Sequence, residues 1–135
     1  MDPKLKRLLS EFDALRRKIG SSHGLPTEPI GDGTPHVEIV NDDYHFVASE
    51  RGTEFDRRST NDPSELLYWI FSGITHSMAS SYEVTHRVRG QSFRRLMFSK
   101  QLELLQELNP EWAAKRKKEI DAILLKHPYD DRIEG

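Results

Sequence analysis

The sequence predicts an α+β fold: a small antiparallel three-stranded meander packed against a mainly helical block, with a helix at the N-terminus. Three observations carry this. Apolar residues recur at three- and four-residue steps near the start, three short alternating runs divided by turn residues follow, and the helical period then returns to the end. At 135 residues the chain fits one domain. Its parts are an N-terminal helix over 1–20, a meander over 36–59, a helical block over 63–126 and a loose tail over 127–135.

In the first helix Asp2 caps, Pro3 takes the first turn, and Gly20 follows the end. Leu5, Leu8, Leu9, Phe12, Leu15 and Ile19 make one apolar face. "GSSHGLPTEPIGDGTP" breaks every period and reads as a long loop. "HVEIV", "YHFVASE" and "TEFDRRS" are then separated by "NDD" and "RG", the punctuation of hairpin turns. Alternation puts Val37 and Ile39 on one face, and Tyr44, Phe46 and Ala48 together on theirs. On the third run Thr53, Phe55 and Arg57 oppose Glu54, Asp56 and Arg58. One face of the sheet is expected to be apolar and covered by helices, the other to display charge.

"NDPSE" opens the next helix with Asp62 as cap, Pro63 first and Glu65 in the capping-box position. Its stripe is Leu67, Phe71, Ile74, Met78 and Val88, joined by Leu66 and Ile70. A break is expected at Gly90. "QSFRRLMFSKQLELLQELN" resumes the helix, and Asn109 caps a last one carrying Trp112, Ile120, Ile123 and Leu124.

Composition excludes several chemistries. There is no cysteine, hence no disulfide, thiolate nucleophile or cysteine-bound zinc. The N-terminus lacks the apolar run of a signal peptide, and no apolar run reaches membrane-spanning length, so a soluble cytoplasmic protein is expected. Net charge is −2, without the footprint of a nucleic-acid binder. The distribution is polar along the chain, however. Ten acids against three bases lie between Glu28 and Glu65, and nine bases against three acids between Val84 and Lys118.

No motif for catalysis stands out. His76, Glu83 and His86 can share one side of a helix, but no histidine pair has the spacing of a helical metal motif, and no metal or cofactor is expected. No GxSxG elbow occurs, and "GDGTP" lacks the lysine of a phosphate loop. Glu50, Glu54 and Asp56 flank a tight turn, as a carboxylate pair for glycoside chemistry would. They lie beside Arg51, Arg57 and Arg58, so ion pairing accounts for them at less cost. Arg87, Arg89, Arg94 and Arg95 around Gly90, with "KRKK" beyond, form the candidate nucleic-acid face. Against it, the solvated helix faces carry matching acids. The acidic meander is the candidate partner face, through Asp42, Asp43, Tyr44, Glu50, Glu54 and Asp56. Tyr44 and Trp69 are its candidate aromatic anchors, with core packing the competing role for both.

The order of "ERG" with its "RRST" follower, "ELLYWIF", "RGQSFRR", "KQLELL" and "LNPEW" resembles the immunity protein 63 family, encoded beside polymorphic toxins in bacteria. The similarity runs from about Pro35 to Asp131. It implies a cytoplasmic protein that is not an enzyme. Such a protein binds and neutralises the C-terminal domain of a cognate toxin stoichiometrically. If that toxin is a nuclease, its basic groove would suit the acidic meander. The alternative is a small regulator that binds nucleic acid around Gly90.

Overall fold

A computed structural model describes all 135 residues. The order is α1 (Pro3–Lys18), β1 (His36–Val40), β2 (Asp43–Glu50), β3 (Thr53–Thr60), α2 (Pro63–Thr85), α3 (Phe93–Leu108), α4 (Pro110–Lys126) and α5 (Asp131–Glu134). Three antiparallel strands in one sheet with helices before and after make an α+β fold. Two compact units divide the chain, Met1–Trp69 and Ile70–Gly135, and the division falls inside α2.

In the first unit, Asp2 accepts from the Lys4 amide at 2.7 Å and starts α1. The apolar face read from the spacing buries Leu8 and Phe12, and Ile19 just beyond the helix. The strands follow the order β1-β2-β3. Both connections are two residues long: Asn41 and Asp42 at φ 50° and 69°, then Arg51 and Gly52 at φ 52° and 80°. Two consecutive positive φ values are the backbone of a type I′ turn, whose twist matches that of the strands.

The register is set by side-chain pattern, with one interruption. Val37 pairs with Phe46 and Ile39 with Tyr44, and on the other side Tyr44 pairs with Thr60 and Phe46 with Arg58. A bulge then shifts the pairing between Ala48 and Ser49: Ala48 faces Asp56 and Ser49 faces Glu54, so Phe55 is the extra residue. This corrects the simple alternation expected of the third run. Glu54 joins Arg57 on one face, and Phe55 is left 60% exposed.

A second expectation also changes. The face opposite Tyr44 is not simply a charged surface, because His36, Val47 and Ser49 on it are buried. The long loop explains part of this cover. Gly33 donates to the Ser49 carbonyl, Arg51 to the Gly31 carbonyl, and Val37 to the Pro26 carbonyl. The loop is thus tied down by backbone bonds along the sheet's margin.

Asp62 accepts from the Ser64 amide at 2.9 Å and starts α2, whose residues Leu66, Leu67 and Tyr68 are buried in the first unit. In the second unit Ala79, Met97, Phe98 and Ile120 form one cluster, with Leu102, Leu124 and Tyr129 against it. Phe71 and Trp112 stack with ring centroids 6.1 Å apart. Gln101, fully buried, donates to the Ser72 carbonyl and to Thr75, and accepts from Arg116 at 3.0 Å. Gln101 thus ties α2, α3 and α4 together through one satisfied amide.

α2 ends at Thr85, and Gly90 takes φ 81° in the connection, where the break was expected. Val88 lies in that connection at 51% exposure and is not part of the stripe. A helix ending five residues before glycine leaves it no core to face. Asn109 is the single residue between α3 and α4: its backbone amide donates to the Leu105 carbonyl, and its side chain accepts from the Glu111 amide. The tail expected to be loose forms α5 instead, capped by Asp130, and its carboxylates reach back to the start of α3. No helix is long and apolar enough to cross a membrane.

Candidate functional site

Three acidic residues, Asp42, Asp43 and Glu50, lie in or next to the two hairpin turns. Asp42 is in the first turn, with its side chain 90% exposed and only a loose 3.9 Å contact to Lys4. Lys4 Nζ donates to the Asp42 carbonyl and stands 4.8 Å over the Tyr44 ring, which fixes the turn against α1. Asp43 is exposed and makes no ion pair. Glu50 opens the second turn, likewise exposed and unpaired. Opposite it, in an isolated bridge, is Asp32. The Thr34 hydroxyl and amide hold the Asp32 carboxyl below its ordinary value.

Tyr44 does not join this surface. It is only 4% exposed, and burial pushes its phenol up. Trp69 is half-buried, its ring 4.7 Å from the Arg58 guanidinium, which also lies 5.5 Å from the Phe46 ring. Both aromatics therefore serve the packing of the first unit.

Glu54 and Asp56 are committed to neighbours. Arg57 donates to both oxygens of Glu54, at 2.5 and 2.9 Å, and Asp56 lies 3.9 Å from Arg58. Arg57 also donates to Glu38 at 3.2 Å and to His45 Nδ1 at 2.9 Å, and Glu38 bonds His36 Nε2 at 2.8 Å. Arginine only donates, so His45 Nδ1 is the acceptor in that bond. One polar hub therefore spans all three strands. The His36 bond, with Arg57 behind it, holds Glu38 below its usual range; Arg57 does the same for Glu54. The arginine is raised in turn. Such a salt-bridged hub has no carboxylate kept protonated by burial, as general acid catalysis requires. The sequence did hold a signal for it, since residues 36 and 38 must share a face of β1. The bulge that brings Glu54 to Arg57 had no such signal.

Helical spacing did not assemble a site from His76, Glu83 and His86. Glu83, 3% exposed, takes Arg87 at 2.9 and 3.1 Å, while His86 stacks on Tyr82 with centroids 4.0 Å apart and His76 is exposed. No group of three or more His, Asp or Glu side chains is arranged to hold a metal ion.

The basic cluster is largely self-satisfied. Arg94 binds Glu134 at 2.6 Å and the carbonyls of His127 and Pro128 at 2.9 Å. Arg95 binds Asp131 at 3.0 Å and stands 4.1 Å over Tyr129. Arg95 and the Ser92 amide hold Asp131 low, and Arg94 and the Ser92 hydroxyl hold Glu134 low. Glu83 raises Arg87. Arg89 alone of the four is exposed without an ion pair.

The fold defines a small α+β protein that exposes acidic residues at its two hairpin turns. The family model Immunity protein 63 matches residues 41–122, and the chain belongs to that family. It is thus an immunity protein, a class that implies a toxin as partner. No match is found among curated proteins or among solved structures.

Proposed function

We propose that this protein neutralises its cognate toxin domain by stoichiometric binding, without catalysis, in the cytoplasm of the cell that makes the toxin. The recognition face is the pair of acidic hairpin turns. The observation that carries it is the set of uncompensated carboxylates there: Asp43 and Glu50 have no ion pair and Asp42 only a distant one. Fixed charge on tight, two-residue turns is already ordered, so little entropy is lost on docking. A basic toxin surface, such as a nuclease groove, is the complement that would be drawn to it. Glu54 and Asp56, paired within β3, support the face and add little free charge.

The nucleic-acid reading has less support, since Arg87, Arg94 and Arg95 each already hold a carboxylate. The test is co-expression with the neighbouring toxin domain. Rescue of growth together with co-purification in equal amounts is the expected result. Failure of both would refute the reading. Salt-sensitive retention on immobilised DNA or RNA would favour the alternative.

A further inference from the structure

The strand β3 is an edge. It pairs with β2 alone, and seven of its eight residues are exposed. Which backbone groups are free follows from the turns. The two-residue turn at Asn41–Asp42 makes Val40 and Asp43 a hydrogen-bonded pair. Along an antiparallel strand, backbone groups point alternately to one neighbour and to the other. Asp43, His45 and Val47 therefore bond β1, while Tyr44 and Phe46 turn to β3, where they meet Thr60 and Arg58. Arg57 and Ser59, lying between, direct their N–H and C=O groups away from the sheet.

The side chains along this edge are self-complementary. Asp56 and Arg58 share one face, with opposite charge, on either side of Arg57. We propose that a second copy of this chain docks here, β3 against β3 in antiparallel register about Arg57, joining two meanders into one six-stranded sheet. In that register Asp56 stands opposite the partner's Arg58, and Arg58 opposite the partner's Asp56. Moving the two-fold axis by one residue sets Asp56 against its own copy, or Arg58 against its own. An axis between residues would pair side chains from opposite faces. Arg57 meets its counterpart on the other face, but each brings the carboxylates of Glu54 and Glu38 with it. A uniformly basic partner finds no such match, because Glu54, Asp56, Arg57 and Arg58 sum to no net charge. The proposal does not depend on the toxin reading, which rests on the turns.

The experiment is sedimentation velocity of the full chain over a dilution series. The expected result is a mass rising from 15.7 kDa towards twice that value. Asp56→Arg and Arg58→Asp should each weaken self-association about tenfold, by setting like charges opposite. Mixed in equal amounts, the two variants should pair with each other, which a merely structural role would not produce. Because Arg58→Asp also loses the contacts with Phe46 and Trp69, Ser59→Pro serves as the second variant. It removes an outward N–H, leaves the β2 ladder intact, and should give a monomer. A wild-type monomer at every concentration would overturn the proposal. So would a dimer indifferent to Ser59→Pro, or a mixture of the charge variants that stays monomeric. A Ser59→Pro chain that self-associates normally yet no longer protects against the toxin would place a toxin strand on this edge instead.

Discussion

Arg57 grips both oxygens of Glu54, three residues earlier in the same strand, and reaches across the sheet to Glu38. In a regular strand, residues three apart point to opposite faces. The bulge at Phe55 reverses that parity and makes the pair possible. The hub therefore depends on one inserted residue.

Its contribution should vary with pH in a known direction. Glu38 and Glu54 are both held below their usual values. Stability from them is present above the unfolded glutamate value, about 4.3, and is lost as pH falls through the lower folded values. Arg57→Met should therefore be less stable than wild type at neutral pH, with the gap closing as pH drops below about 4. Urea midpoints at pH 7 and pH 3 would show it. A gap unchanged by pH would mean that the hub is not the cause.

Arg51 takes φ 52° in a turn that favours Asn or Gly at that position. Replacing it with Asn should stabilise the protein by about 0.5 kcal/mol, since Asn tolerates the left-handed region better. Thermal unfolding would measure the gain. A loss would mean that the Arg51 side chain makes a contact outweighing the strain.

The C-terminal turn should behave as a clasp on α3. The Ser92 amide donates to Asp131 at 2.6 Å, and the Ser92 hydroxyl bonds Glu134. In a chain with Asp131→Asn and Glu134→Gln, hydrogen exchange at residues 92–95 should speed up while the core of α4 is unaffected. Both carboxyls are held low, so acidification should reproduce the effect in the wild type as they become protonated.

Charge reversal at Asp42, Asp43 and Glu50 together should slow association with the toxin domain about tenfold at low salt and flatten its salt dependence. Neutralising Glu54 and Asp56 should change the association rate much less, because Arg57 and Arg58 already offset them. Surface plasmon resonance over a salt series would separate the two sets. Equal effects from both would move the recognition face away from the turns.

Much of this fold was legible because local rules agreed with one another. Asp2, Asp62 and Asn109 each marked a helix start that the structure bears out. The "NDD" and "RG" punctuation marked both turns. What escaped was what depends on contacts distant in sequence. The bulge at Phe55 leaves no compositional trace. The clasp links residues about forty positions apart, and charged tails of that kind read as solvated. Tyr44 fits a surface anchor and a buried ring equally well by pattern. Only the placement of Lys4 and α1 decided it. Glu83 read by spacing as sharing a helix side with His76 and His86, whereas its burial and its bond from Arg87 follow from the packing around it.

Strand order here follows chain order, and each strand meets its neighbour across a two-residue turn. Such pairings close short loops and wait for no remote segment, so the meander should form on the fast side of folding for a sheet. The connection through Asn109 gives α3 and α4 the same advantage. For an immunity protein, whose class implies a toxin as partner, speed of maturation counts alongside affinity. A chain that assembles from its nearest neighbours is ready soon after it leaves the ribosome.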